Sequence, residues 1–321
     1  MSASSPFTSR DGNARVTLDR LVTAASLPPV TSTYELDEQG FDNRLLVGRL
    51  ADGRHVLLRQ NSEPGPAPVA RARFLARHDV GAPQLYAADN AGALLVEFVP
   101  GETLAAMAKR EALGDPIWRM VGSAYRRIHA VRFPAPLRGN FGPQRLELIP
   151  EDPVALLHGK VDLGEAAVRA YRPAMLPLLD RFRERIDARA EELRDEAPCL
   201  SHADANFHNL VVGADRVTLI DWDYPSVRYP LEELEALETH AYLNGVPELP
   251  DSFFAGYGRE VSRPLLRIHR IASCLEGFPS REWSDMADDN RNPEQLRAML
   301  KDWAQKQREW IYRLEDHLGQ T

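Results

Sequence analysis

The spacing of apolar positions changes along the chain. Before residue 100 they fall in short runs, Thr31 to Leu36, Asn43 to Leu50, His55 to Arg59 and Leu94 to Val99, which predicts strands. Gly40-Phe41-Asp42-Asn43 and Ala51-Asp52-Gly53 read as the turns joining the first three. Between them and the last run, Ala67 to His78 mixes apolar and basic residues at helical spacing and stops before Gly81-Ala82-Pro83, so a helix is expected there. Past Pro100-Gly101, Thr103 is placed to cap a helix, and helical spacing then dominates. Helices are predicted over Ile117 to Val131, Leu231 to Leu243, Pro264 to Leu275 and Asn292 to Leu318. Glu165 to Leu193 is also helical in pattern, broken or kinked at Pro173 and Pro177. Pro134 to Gly164, rich in Pro and Gly, reads as a looped insertion. One late hairpin stands out, with Leu210 to Val212 and Val217 to Ile220 flanking a Gly213-Ala214-Asp215 turn.

Composition narrows the classes. With 321 residues, 44% of them apolar, the chain can bury a large core, and a two-lobe body is expected. No run approaches the length of a membrane span. Met1 to Asn13 is polar and Ser-rich, so the start reads as a loose tail rather than a secretion signal. Cys199 and Cys274 form no disulfide framework and read as small buried side chains, in keeping with a reducing, cytoplasmic setting. A net charge of −8 argues against a nucleic-acid partner, since phosphate backbones need a basic face. A small-molecule partner is expected instead.

The chemistry concentrates in His202-Ala203-Asp204-Ala205-Asn206-Phe207-His208-Asn209 and Asp221-Trp222-Asp223, on either side of the late hairpin. Phosphoryl transfer asks for positioning and charge: a carboxylate for the acceptor hydroxyl, and oxygen ligands for Mg²⁺. Asp204 fits the first role, and Asn209 and Asp221 the second. Asp223 is a second carboxylate at the same place, and His202 reads as a structural residue fixing the loop. A rival zinc reading takes His202, Asp204 and His208 as a cluster, but leaves Asn209 idle. Kinases hold the nucleotide phosphates with a cation on the third strand, commonly lysine, yet the first lysine of the chain is Lys109. Arg59, closing the run from His55, is the natural substitute, because its fork can bind phosphate bidentately. The turn Gly40, Phe41, Asp42 and Asn43 could lay backbone N–H groups over the same phosphates.

The loop and the Asp-Trp-Asp motif resemble the aminoglycoside phosphotransferase family, whose loop commonly reads His-Gly-Asp-Leu-His-Pro-x-Asn and whose metal motif reads Ile-Asp-Trp/Phe-Glu/Asp. The likeness runs from about Tyr34 to about Leu237. It implies an α+β, two-lobed, protein-kinase-like fold with a small antiparallel-sheet N-lobe and a larger, mainly helical C-lobe. Residues 1–15 would be a flexible tail, 16–98 the nucleotide-binding lobe, and 99–321 the lobe carrying the catalytic loop and acceptor site. By the same likeness, backbone groups of Glu97, Phe98 and Val99 would form a hinge against the purine edge. The family usually places a glutamate near the start of the helix after the third strand, to pair with the strand cation. Here no acid lies between Pro64 and His78, and Glu63 is the nearest.

The resemblance implies transfer of the γ-phosphate of ATP or GTP, with Mg²⁺, to the hydroxyl of a small molecule. An antibiotic (aminoglycoside, peptide or nucleoside) is the favoured acceptor; a metabolic kinase for choline, a sugar or an amino alcohol is the alternative. A nucleotide-binding pseudokinase is the reading from another class. Monomer and homodimer both remain open. Residues 225–321 hold 17 acidic and 12 basic residues, including Asp285, Asp288 and Asp289. That excess could attract a polycationic acceptor, although charge on helices is ordinarily solvation. Trp283, Trp303 and Trp310 read as packing residues.

Overall fold

The computed structural model describes residues 11–36, 43–61, 67–277 and 282–312. Gly40, Phe41, Asp42 and Glu63 lie outside the described residues, as do the side chains of Asn43, Trp283 and Trp310.

The N-terminal part is one antiparallel sheet of five strands in the order β1-β2-β3-β5-β4. Helix α1 (Asp11–Ala24) leads into β1 (Val30–Glu35), β2 (Asn43–Leu50) and β3 (His55–Asn61); α2 (Ala67–Arg77) then precedes β4 (Leu85–Ala88) and β5 (Ala93–Glu97). Helix α1 enters the stretch expected as tail. Its Ala14, Leu18, Leu21 and Val22 recur at helical spacing and are buried against Leu46, Leu50, Val56, Leu58 and Leu95, so the sheet's apolar face holds the helix in place. Burial of that stripe offsets the cost of ordering a polar N-terminal segment.

The chain leaves β5 through Pro100 and Gly101. Gly101 has φ +152, and a Cβ there would lie 2.3 Å from the Val212 carbonyl oxygen, so only glycine permits the linker to pass this close. Beyond it come β6 (Glu102–Thr103), α3 (Leu104–Lys109) and α4 (Asp115–Ile128). The Thr103 hydroxyl caps α3 by accepting the Ala106 N–H at 3.2 Å. The expected loop from Pro134 to Gly164 is instead the hairpin β7 (Leu137–Phe141) and β8 (Leu146–Pro150), followed by α5 (Pro153–Tyr171). Asp152 caps α5 and Pro153 occupies its first turn, where proline costs no hydrogen bond. Pro173 does break the helical stretch. Pro177 falls in the first turn of α6 (Leu176–Ala188) and interrupts nothing.

After α7 (Ala190–Asp195), the remaining strands are β9 (Cys199–Ser201), β10 (Leu210–Val212), β11 (Val217–Leu219) and β12 (Ser226–Arg228). β10 and β11 form the predicted hairpin, with Leu210 opposite Leu219 and Val212 opposite Val217. The helices α8 (Pro230–Leu243), α9 (Asp251–Tyr257), α10 (Arg263–Gly277), α11 (Glu282–Asp288) and α12 (Glu294–Tyr312) complete the described chain. The fold is the two-lobed, protein-kinase-like arrangement, with the helical part built on a second, larger core. Leu75 of α2 belongs to that second core, and the Phe74 ring lies 5.6 Å from Phe141, so α2 is fastened to the helical part. Neither cysteine forms a disulfide, and both are buried.

Helix α8 departs from the amphipathic pattern. Glu232, Glu233, Glu235 and Glu238 are all buried beside its leucines. Glu232 accepts from Arg138 at 2.7 Å, and Glu238 pairs with Arg270. Glu233 meets His129, and Glu235 accepts the Thr239 hydroxyl at 2.8 Å, so these acids are taken up inside the protein and are not part of an acidic wall facing a ligand.

Candidate active site

The loop after β9 is built by its own side chains. Asp204 Oδ1 accepts the Asn206 N–H at 3.2 Å, and Asn206 Oδ1 accepts the His208 N–H at 3.1 Å. These turns bring Asn209 back, so that its Nδ2 donates to Asp204 Oδ2 at 2.7 Å. The two residues expected to share the chemistry are therefore in direct contact.

The second arm arrives from β11. The Ile220 N–H donates to the Asn209 carbonyl at 2.9 Å, which fixes Asp221 next to the loop. His202 Nε2 donates to the Ile220 carbonyl at 2.8 Å, and its ring lies edge-on to Trp222 at 4.4 Å between centroids. His202 is thus committed to holding the loop, as expected, and does not present that nitrogen to a metal. Among the described residues no three His, Cys, Asp or Glu side chains gather as a metal cage. For Mg²⁺ the donor set fits nonetheless: this ion takes one or two protein oxygens plus phosphate oxygens and water, and an amide beside a carboxylate supplies those.

Ala203 and Asp221 both take left-handed backbone, with φ of +68 and +63. Each conformation costs a non-glycine residue about 1 kcal/mol or more, so it needs support. At Ala203 that support comes from Glu233 of α8: its Oε1 accepts the N–H of His202 at 2.7 Å and of Ala203 at 3.2 Å. Its other oxygen meets His129 Nε2 at 2.7 Å, and His129 Nδ1 meets the Tyr257 hydroxyl at 2.8 Å. Burial pushes the Glu233 carboxyl up, but hydrogen bonding and attraction from His129, then His202, outweigh it and hold the group below the usual range. A charged carboxylate thus anchors the loop from His202 to Asn209 from beneath.

Across the cleft, Arg59 stands mid-strand, between Leu45 of β2 and Leu94 of β5. Its side chain is 13% exposed and its Nη2 donates to Asp221 Oδ1 at 2.5 Å and to Asp223. The partner that the sequence left open is therefore this pair of aspartates. Burial raises the Asp221 carboxyl, Arg59 opposes that shift, and neighbouring Asp223 adds to it. Arg71 of α2 reaches the same place, donating to Asp223 Oδ1 at 3.3 Å. Arg44 of β2 pairs with Glu35 at 3.0 Å.

Other expected residues are placed less fully. Glu97 closes β5, its N–H donating to the Gln84 carbonyl at 2.8 Å and its carboxylate accepting the Gln84 N–H at 3.2 Å. Phe98 and Val99 follow in the linker, with the Phe98 ring 5.8 Å from that of His55. Asn43 opens β2 opposite Asn61. On the helical side of the loop, the Trp303 ring is buried 6.4 Å from His208 and 6.1 Å from His240. Glu233, His129 and Arg71 were not singled out by sequence. Glu233 sits in an acidic run that patterning assigns to solvent, and only the absent acid in α2 hinted that Arg71 mattered.

No curated protein sequence matches the chain. Among solved structures, a choline/ethanolamine kinase family protein from Mesorhizobium loti superposes with a TM-score of 0.59 at 20% identity, covering 96% of this chain and 98% of that one. Aminoglycoside phosphotransferase APH(4)-Ia gives 0.55 at 16% identity over 92% and 99% of the two chains. The choline kinase of Cryptosporidium parvum gives 0.53 at 12% over 95% and 96%. At these identities the likeness concerns the fold. The sequence profile of the phosphotransferase enzyme family matches residues 33–269, a span that contains both arms of the site and most of the chain. By that match this chain, with its loop and Asp-Trp-Asp arm in contact, belongs to the phosphotransferase enzyme family.

Proposed function

We propose that the protein transfers the γ-phosphate of ATP or GTP, with Mg²⁺, to a hydroxyl of a small molecule. The observation that carries this reading is the meeting of Arg59 with Asp221 beside the Asp204–Asn209 pair. A phosphate-binding cation, two metal-type oxygens and a carboxylate base converge where a nucleotide would lie between the lobes. The hydroxyl oxygen forms a bond to the γ-phosphorus, the bond to the bridging oxygen breaks, Asp204 takes the hydroxyl proton, and the nucleoside diphosphate leaves. Asn209 and Asp221 would hold Mg²⁺, which would supply neutralisation of phosphate charge. Glu97 to Val99 face the purine edge in this reading, and Gly40 to Asn43 cover the phosphates. The division into a nucleotide-binding part through residue 98 and a catalytic part from 99 belongs to the same proposal.

For the acceptor we favour an antibiotic hydroxyl, on the likeness to APH(4)-Ia, whose thermostable mutant is solved with AMP-PNP and hygromycin B. The likeness to the choline/ethanolamine kinase family protein supports a metabolic acceptor such as choline or an amino alcohol. Incubation with ATP or GTP and a panel of aminoglycosides, peptide and nucleoside antibiotics, choline and sugars tests both. Acceptor-dependent release of diphosphate that is lost in Asp204→Asn is expected. Nucleotide binding without turnover on any acceptor would instead favour the pseudokinase reading.

A further inference from the structure

We propose that Arg71 is a second phosphate-binding cation, contributed by α2 and working beside Arg59; this rests on the phosphotransfer reading above. Three observations carry it. First, Arg59 and Arg71 come from different elements yet both donate to Asp223, whose side chain is 18% exposed, and each guanidinium-bearing side chain is 13% exposed. Two like charges held on one carboxylate repel each other, and a further anion between them relieves that repulsion. Second, α2 cannot easily withdraw the arginine: Leu75, one turn after Arg71, is buried in the core of the helical part, and Phe74 packs on Phe141. Third, the charges of these four side chains balance only without a metal. Arg59, Arg71, Asp221 and Asp223 cancel as they stand, and a divalent cation on Asp221 leaves the cluster doubly positive. That excess attracts a triphosphate more strongly than a diphosphate, and it does nothing for a nucleoside.

Titration calorimetry of the full chain with Mg·ATP, Mg·ADP and adenosine, and with the guanine set, tests the assignment. Arg71→Gln removes the charge, and Arg71→Met removes it while keeping the apolar stem, so one variant guards against a packing defect in the other. Both are expected to bind the triphosphate roughly tenfold or more weakly, the diphosphate less so, and the nucleoside as the wild type does. Arg71→Lys should recover part of the triphosphate affinity. Unchanged triphosphate affinity in the neutral variants overturns the inference, as does an equal loss for the nucleoside, which marks a structural role. If the wild type binds no nucleotide of either set, the phosphotransfer reading fails and this inference falls with it.

Discussion

Asp204 gives one oxygen to the Asn206 amide and the other to the Asn209 side chain, so its position is set before any substrate arrives. Asp204→Asn keeps the size of the side chain but cannot take a proton, and its new NH₂ replaces the oxygen that accepts from Asn209, whose amide must turn to meet it. The turnover number should fall by roughly 10² to 10⁴ while nucleotide affinity stays near that of the wild type. Full activity in the variant would remove Asp204 from the reaction. For Arg59 the mid-strand, little-exposed setting and the contacts to Asp221 and Asp223 argue against a solvated surface arginine. Arg59→Ala should lower kcat/KM by about tenfold or more, a charge-assisted contact being worth about 1.5 to 3 kcal/mol. Arg59→Lys separates two modes of grip: a bidentate fork predicts a partial defect, and a point charge predicts nearly normal rates. Asp221→Ala should weaken Mg-dependent nucleotide binding as well as turnover, which titration with and without Mg²⁺ would reveal.

Elements hold these residues through a few close crossings. Helices α4 and α9 approach so tightly at Gly122 that a Cβ there would lie 2.1 Å from the Phe253 carbonyl oxygen. Gly122→Ala should destabilise by about 1–3 kcal/mol through forced separation, outweighing the roughly 0.5–1 kcal/mol that alanine gains in a helix. An unshifted denaturant midpoint would contradict that contact. Glu233 is the equivalent device for the catalytic loop. Glu233→Ala strands the His202 N–H and the Nε2 of His129 in a buried site and leaves the Ala203 N–H with the Ser201 hydroxyl alone. A loss of about 3 kcal/mol or more is expected, because each orphaned buried group costs about 1–3 kcal/mol. Turnover should drop as well, since the left-handed backbone at Ala203 loses its support; melting curves and kinetics together check both.

At the scale of the molecule, the helical core carries ionisable groups that make stability depend on pH. Burial, with a smaller push from Lys160, lowers His269 to about 3, so the folded form stays neutral while the unfolded chain protonates below about 6.5. Stability is therefore lost as pH falls from 6.5 towards 3. Glu235 acts in the opposite sense. Burial raises it to about 7, the folded form holds its proton, and stability is lost as pH rises from about 4.5 through 7. Over the shared range the two slopes oppose each other. His269→Leu should expose the Glu235 limb, with stability falling as pH rises, and Glu235→Gln should steepen the loss in acid. Denaturation across pH 4 to 8 reads both, and parallel curves for the two variants would exclude these groups as the cause.

Local chemistry was legible in the sequence wherever the interaction is local. The hairpin of Leu210 to Leu219, the Thr103 cap and the loop from His202 to Asn209 each follow from neighbours within a few residues, and so does the contact of Asn209 with Asp204. The Pro134 to Gly164 stretch was misread because β7 gains its partner β12 from far along the chain, which composition cannot show. Helix α1 was missed although its apolar spacing is visible, because only the sheet beneath makes that stripe worth burying. The acids of α8 reversed their expected exposure once Arg138, His129 and Arg270 were brought to them from elsewhere. The pairing of Arg59 with Asp221, 162 residues apart, and the arrival of Arg71 beside it were decided by tertiary structure alone. Charge partners are chosen by distance in space, and two lobes closing on one cleft set that distance without leaving a period or a motif in the chain.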